Sequence, residues 1–440
     1  MKTPICDFVK NYIEKDPMRL HMPGHKGVSY LGAEPFDITE IDGADSLYEA
    51  SGIIAESEKN ASELFGCSTF YSAEGSSQCI RAMLFLAMQN AKNQGKRPIV
   101  LAGRNAHKTF LSAAALCDLD VKWLFPDNQE SYLSCKIDVA TLDRALSRRN
   151  ITAVYLTSPD YLGNILDIKV LSAVCKKYGV LLLVDNAHGA YLKFTTPSQH
   201  PIDLGADLCC DSAHKTLPVL TGGAYLHVSN SAPEWMHGSA KTALALFGST
   251  SPSYLILQSL DMANKYIADG YTERLEAFSQ KVKELKTKLM LGGFILRGSE
   301  PLKITIKTKP YGYNGEDFAK LLLEKDIVCE FSDKDFAVLM LTPETDLERL
   351  EKALLSIPQK TAILTPPPRF HLPDRAMSIH EAVFSPSEEV PTEKALGRIL
   401  GAATVGCPPA VPIVTCGERI TAEAIEVFRY YNIKTCRIVK

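Results

Sequence analysis

Six short, almost wholly apolar runs lie between residues 98 and 228, each followed by a turn and a stretch of helical periodicity. They are PIVLA (98–102), VKWLF (121–125), AVYLT (153–157), VLLLVD (180–185), LCCDS (208–212) and GAYLHV (223–228). A strand that is apolar at nearly every position has no face to offer water, so it belongs in a sheet covered on both sides. The helical spacers supply the crossovers that parallel strands require. The pattern predicts an α/β layered domain built on a mostly parallel sheet.

Around that centre the chain divides into further pieces. Residues 1–50 read as an irregular N-terminal arm, with Pro and Gly in MPGHKG and few periodic segments. The run GIIAESEKNASELFG has helical spacing and stops at Gly66, opening a large domain over 51–255. A long, charged, helix-favouring stretch at 256–293 links it to a small α+β domain at 294–365. That domain is read from a β-type run at 302–307, a helix near 315–325, the runs IVCEF (327–331) and AVLML (337–341), and a helix near 345–355. Three prolines at 366–368 mark the next boundary, and 369–440 is expected to carry one good helix after Thr392. At 440 residues, two or three folded units are the natural expectation. A net charge of -3 argues against a nucleic-acid binder or a polybasic membrane anchor, and no apolar run reaches membrane-spanning length. The twelve cysteines are scattered without a C-x-x-C pair, and MKTPICDFVKNYIEKD lacks the apolar core of a secretory signal, so a reducing cytoplasm is the expected setting.

The chemistry is read from two strand ends. Asp185 closes the run VLLLVD, and Lys215 follows 30 residues later in DSAHKT, just beyond the next strand. In an open α/β sheet, ligands bind beyond the carboxyl ends of the strands, so these two groups are expected to face one crevice. Pyridoxal phosphate (PLP) needs such a pair: an amine to condense with its aldehyde, and an acid to keep its ring nitrogen protonated. Either residue alone reads better as a loop cap or a solvated lysine; together they do not. Tyr71 to Ser77, YSAEGSS, runs into the helical QCIRAMLFLAMQNA, and small hydroxyl residues with a Gly at a helix start suit a phosphate. His107, after PIVLA, could lie against the ring. His21 and His25 are separated by Pro23-Gly24, which breaks the helix that ligand spacing would need, and no metal is expected. GSSQ lacks the lysine of a P-loop, and Cys209 and Cys210 read as core.

An ordered series of motifs resembles the bacterial ornithine/lysine/arginine decarboxylases, PLP enzymes of fold type I, in the short form without an N-terminal wing domain. It runs through HMPGHKG (21–27), DITEIDGADSLYEASGII (37–54), GRNAHKT (103–109), TSPDYLGNILDI (157–168), VDNAHGAY (184–191), SAHKTLPVLTGGAYLH (212–227) and STSPSY (249–254). It returns at HEA (380–382), ALGRI (395–399) and from CPPAVP (407–412) through GERI to residue 420.

The resemblance implies a PLP-dependent transferase-like large domain with a smaller C-terminal α+β domain and a decarboxylase-type subdomain at 366–440. It implies that Lys215 carries PLP, that Asp185 meets the ring nitrogen, and that Ala187 and His107 sandwich the ring. His214 would interact with PLP and return a proton to the substrate carbon. Gly75, Ser76, Ser77 and Ser212 would hold the phosphate, with Thr250 of the STSPSY segment reaching the site of a neighbouring subunit, so a homodimer or higher homo-oligomer is expected. Glu381 matches an acid near the substrate end. The implied reaction is decarboxylation of arginine, lysine or ornithine to agmatine, cadaverine or putrescine. An aminotransferase, another fold type I enzyme, or a PLP-binding protein with little catalysis are the alternatives. This chain departs from the family pattern at Asn186, where V-D-E-A-H is usual, and at Glu74, where N-G usually precedes the hydroxyls. It departs again at Ala410 and Val411 in place of P-P-G-I-P, and at Cys416 before Gly417-Glu418 in place of P-G-E.

Overall fold

The computed structural model describes residues 1–126, 131–148, 150–368, 373–402, 406–407 (backbone only) and 411–440. The chain divides into two compact units, one made of residues 1–93 and 181–274, the other of 94–180 and 275–440. The six apolar runs all form strands, joined by one that the sequence reading passes over: β1 (Ser68–Ser72), β2 (Ile99–Gly103), β3 (Asp120–Leu124), β4 (Ala153–Thr157), β5 (Leu181–Asp185), β6 (Leu208–Asp211) and β7 (Ala224–Val228).

In the first unit the strands lie in the order β1-β7-β6-β5. β5 and β6 are parallel with Asp185 opposite Cys210, while β7 runs antiparallel to both β6 and β1. Every residue of β5, β6 and β7 is buried, as near-continuous apolar strands demand. Helices α1 (Pro4–Glu14), α2 (Ile53–Phe65) and α3 (Gly75–Asn93) belong to this unit. α2 ends as expected at Gly66, which takes the left-handed conformation. α1 contradicts the expectation of an irregular arm. Its N-terminal amides at Ile5 and Cys6 are capped by the carboxylate of Asp261, 3.0 and 3.1 Å away. A cap supplied from more than 250 residues downstream leaves no local signal.

In the second unit β4-β2-β3 are all parallel. A separate antiparallel sheet takes the order Phe331–Ser332, Phe336–Met340, Lys303–Lys307, Ile295–Arg297, with helices Gly315–Leu323 and Leu347–Leu355. This is the expected small α+β arrangement, except that 327–330 is not strand: Asp326 turns at a positive φ and only Phe331–Ser332 joins the ladder. The expected linking helix at 256–293 is two, Tyr254–Ala268 and Tyr271–Leu291, separated at Gly270 with φ +83°. Thr392 starts only a three-residue turn. Its hydroxyl donates to the carbonyls of Ile433 and Lys434 instead of accepting an amide, and Gly397 at φ +75° ends the segment. Among the described residues, the α-helices of this region are Ile379–Phe384 and Ala422–Tyr430. Of CPPAVP, Pro408, Pro409 and Ala410 lie outside the described residues. No helix among the described residues is long and apolar enough to cross a membrane.

Candidate active site

β5 and β6 end side by side, and their ends carry the candidate groups. Asp185 is 2% exposed, and its carboxylate accepts from the amide of Ala187 at 3.2 Å and from the Cys210 thiol at 3.7 Å. Burial, followed by the charge of Asp185, pushes that thiol far above its ordinary value, so Cys210 stays protonated and inert. Beyond β6, Ser212 leads into the short helical turn Ala213–Thr216, which holds His214 and Lys215 half-buried. The Lys215 Nζ lies 2.9 Å from Nε2 of His188, a buried residue three positions beyond Asp185. His214 is oriented through Nδ1, 2.9 Å from the carbonyl of Gly223.

The start of α3 faces the same strand ends. Gly75 takes φ +72° and donates its amide to the carbonyl of Gly222 at 2.6 Å. A Cβ added there would meet no atom within 4 Å, so the helix start opens on free space. The hydroxyl of Ser212 donates to that of Ser76 at 2.8 Å, bringing together two residues 136 apart in the chain. A buried carboxylate, an amine and converging hydroxyls at a helix N-terminus are a donor set that fits a phosphorylated pyridine aldehyde. Glu74 is exposed, and its carboxylate accepts the backbone amide of Ser249. It thereby tethers the exposed loop that carries Thr250.

Within the second unit, His107 caps the helix Lys108–Leu116, its Nδ1 accepting from the Thr109 amide at 3.2 Å. Glu381 forms a reciprocal capping box with Ser378, whose backbone and side-chain hydrogen bonds hold its carboxyl below the usual range. It lines a polar groove of about 630 Å³ with Arg97, Lys122 and Arg375. His21 and His25 are not brought together: His21 bonds the Tyr12 hydroxyl and His25 pairs with Asp37. The residue that sequence reasoning missed is His188. It stands in the VDNAHGAY run quoted above, and its three-residue offset from Asp185 is the signal that could have singled it out.

Behind the strand ends lies a buried polar knot. The Asp211 carboxylate receives Nε2 of His200 at 3.0 Å, Nε2 of His227 at 3.1 Å and the amide nitrogen of Asn186 at 2.6 Å, and all four residues are fully buried. His200, Cys209 and Asp211 are the one cluster among the described residues with metal-ligand spacing. Both imidazoles, however, direct Nε2 at the carboxylate, and Nδ1 of His200 accepts the Ile202 amide at 3.4 Å, so His200 offers an ion no free ring nitrogen. Burial pulls the His227 imidazole down, but Asp211 outweighs it and His227 ends raised. Burial would raise Asp211, and the two histidines bring it well below its ordinary range instead. A raised His227 stabilises the fold fully below its unfolded value of about 6.5, and that share fades as pH climbs through the folded value; a depressed Asp211 stabilises above about pH 4 and loses its share as pH falls. The Tm difference between the native chain and His227→Gln should therefore be largest between about pH 4 and 6.5 and shrink by about pH 9. A difference that stays constant from about pH 5 to 9 would mean that His227 carries no charge.

A family model described as the major domain of Orn/Lys/Arg decarboxylase matches residues 3–290. The arginine decarboxylase of Bacillus subtilis (strain 168) is 28% identical over 464 residues, covering 96% of this chain and 92% of that one. The arginine decarboxylase of Halalkalibacterium halodurans is 28% identical over 468 residues, covering 98% and 94%. Among solved structures, lysine decarboxylase A from Pseudomonas aeruginosa matches with a TM-score of 0.82 at 17% identity, covering 99% of this chain and 80% of that one. That likeness shows the fold, an α/β class with a large, mostly parallel sheet, as the apolar runs led one to expect. The chain belongs to the Orn/Lys/Arg decarboxylase family.

Proposed function

We propose that this chain holds PLP through Lys215 and decarboxylates a basic amino acid, with arginine as the first candidate. The observation that carries the reading is the pairing of β5 with β6, which sets the buried Asp185 and the amine-bearing turn at adjacent strand ends. The preference for arginine rests on the names of the Bacillus subtilis and Halalkalibacterium relatives, which align along nearly the whole chain. When bound, PLP supplies an aldehyde for the amine and a ring that takes up the electron pair freed as carbon dioxide leaves.

The chain's own residues divide the remaining work. Asp185 holds a proton at the ring nitrogen, and its burial strengthens that contact. His188, hydrogen-bonded to Lys215, takes the proton that the lysine must shed to act as a nucleophile. Ser76, Ser77, Ser212 and the start of α3 at Gly75 bind the phosphate. Ala187 packs against a face of the ring. His214, kept in place by Gly223, returns a proton to the substrate carbon in place of the lost carboxylate. Incubation with PLP and arginine, lysine or ornithine should release one amine preferentially, and Lys215→Ala should release none. Borohydride reduction and peptide mapping should place the PLP label on Lys215; a label on another lysine, or a keto acid as product, would overturn the reading. Asp185→Asn should retain PLP and lose on the order of 10⁴ in rate, as a comparable exchange of an orienting acid does in a serine protease. Activity within a few-fold of the native enzyme would remove Asp185 from the ring.

The assembly follows from the 249–251 loop. It is exposed, rich in hydroxyls and tethered by Glu74, and Ser253 does not cap the following helix with its side chain. Thr250 is proposed to reach the site of a second copy. A Lys215→Ala chain and a Ser249→Asp/Thr250→Glu chain should each be inactive, and subunit exchange between them should restore part of the activity. Full activity from a monomer at low concentration would rule out shared sites.

A further inference from the structure

Asp185 and Ser212 are proposed to meet opposite ends of one rigid ligand, the ring nitrogen and the phosphate. Their separation must therefore match the ligand's length, and small errors in it are costly. The β5–β6 ladder reaches Asp185 but stops short of Ser212: its last paired residues are Asp185 and Cys210, closed by the Asn186 backbone amide on the Cys210 carbonyl at 3.0 Å. One residue further on, a side-chain bond takes over. The Asn186 amide nitrogen donates to Asp211 at 2.6 Å, between the residue after Asp185 and the residue before Ser212.

The geometry of that bond leaves Asn186 little freedom. Its amide oxygen is buried with no hydrogen-bond partner and abuts Gly189, where an added Cβ would lie 2.1 Å from it. The opposite amide orientation would set an oxygen against the Asp211 carboxylate, so only this one is tolerated. Asp211 is itself fixed by His200, from the loop before β6, and by His227, from β7. The rung between the two strand ends is thus anchored at one end by two further elements and wedged at the other.

We propose that Asn186 and Asp211 are positioning residues that set the spacing between Asp185 and Ser212 and through it the affinity for PLP. This rests on the reading of the site given above. The test compares PLP dissociation constants, measured from the absorption band of protein-bound PLP on protein verified as folded by its thermal transition. Asn186→Leu removes the rung and Asn186→Asp sets two carboxylates against each other. Both should weaken PLP roughly 10- to 100-fold, as a small misplacement of binding groups does. Asn186→Ser, the milder change, decides the matter if the first two do not fold. The double variant N186D/D211N restores one amide and one carboxylate with the bond reversed, and should regain affinity towards the native value. Variants that are less stable but bind PLP within about twofold of the native chain would reduce the knot to a structural brace and overturn the proposal. A native chain that binds no PLP at all would instead bring down the reading of the site.

Discussion

Two neighbouring parallel strands, β5 and β6, stop at nearly the same level, and the chemistry proposed for the first unit depends on that coincidence. Parallel strands cannot be joined by a tight turn, so the residues leaving their carboxyl ends must travel outward before the chain returns. Here the strand ends and the residues just beyond them hold most of the polar groups proposed to meet PLP in that unit: Asp185 at the end of β5 and His188 beyond it, Ser212, His214 and Lys215 after β6. The start of α3 comes to them because the amide of Gly75 is held by Gly222, just before β7, and the Ser76 hydroxyl by Ser212.

Such an arrangement carries an electrostatic cost that the Asp211 knot absorbs. A lone carboxylate among the wholly buried strands β5, β6 and β7 would be far too costly to keep ionised. The raised His227 and the depressed Asp211 together make a neutral pair, with His200 and Asn186 supplying two further hydrogen bonds. Removing one member of a buried pair typically costs about 3–5 kcal/mol, because the other is left uncompensated. The knot also accounts for a departure seen in the sequence: an amide at 186 can donate to Asp211, whereas the family's usual acid there would repel it while ionised.

The strands were legible because their signal is local, with unbroken apolar runs ending at turn residues. What escaped the sequence reading has its cause far along the chain. α1 is capped by Asp261, and the promise of a helix at Thr392 is cancelled when that hydroxyl turns to the carbonyls of Ile433 and Lys434. β1 was hidden by its own polarity: in Ser68–Ser72 only Phe70 and Tyr71 are apolar, and burial comes from packing beside β7. The long charged stretch did form helix, and only Gly270, with its positive φ, divides it. At the site the residue types could be named but not their partners; the offset of His188 from Asp185 could mark it as a candidate, but its bond to Lys215 exists only in the folded turn.

Substrate choice was the least legible property, for a related reason. A basic amino acid calls for an acid, and the C-terminal motifs offer two, Glu381 in HEA and Glu418 in GERI. Both are committed elsewhere. Glu381 closes a capping box on Ser378. Glu418 pairs with Arg104 at 3.1 Å, both almost fully buried, and accepts the Thr415 amide at 2.6 Å, while Arg104 also bonds the carbonyls of Pro412 and Ile413. A carboxylate already neutralised and buried offers a substrate cation little, since breaking the existing pair would strand a guanidinium away from water. Glu418 therefore shapes the segment 412–418 and does not read the substrate's charge. Whether an acid is available or spent depends on where Arg104 and Ser378 come to lie, and residue type alone does not carry that information.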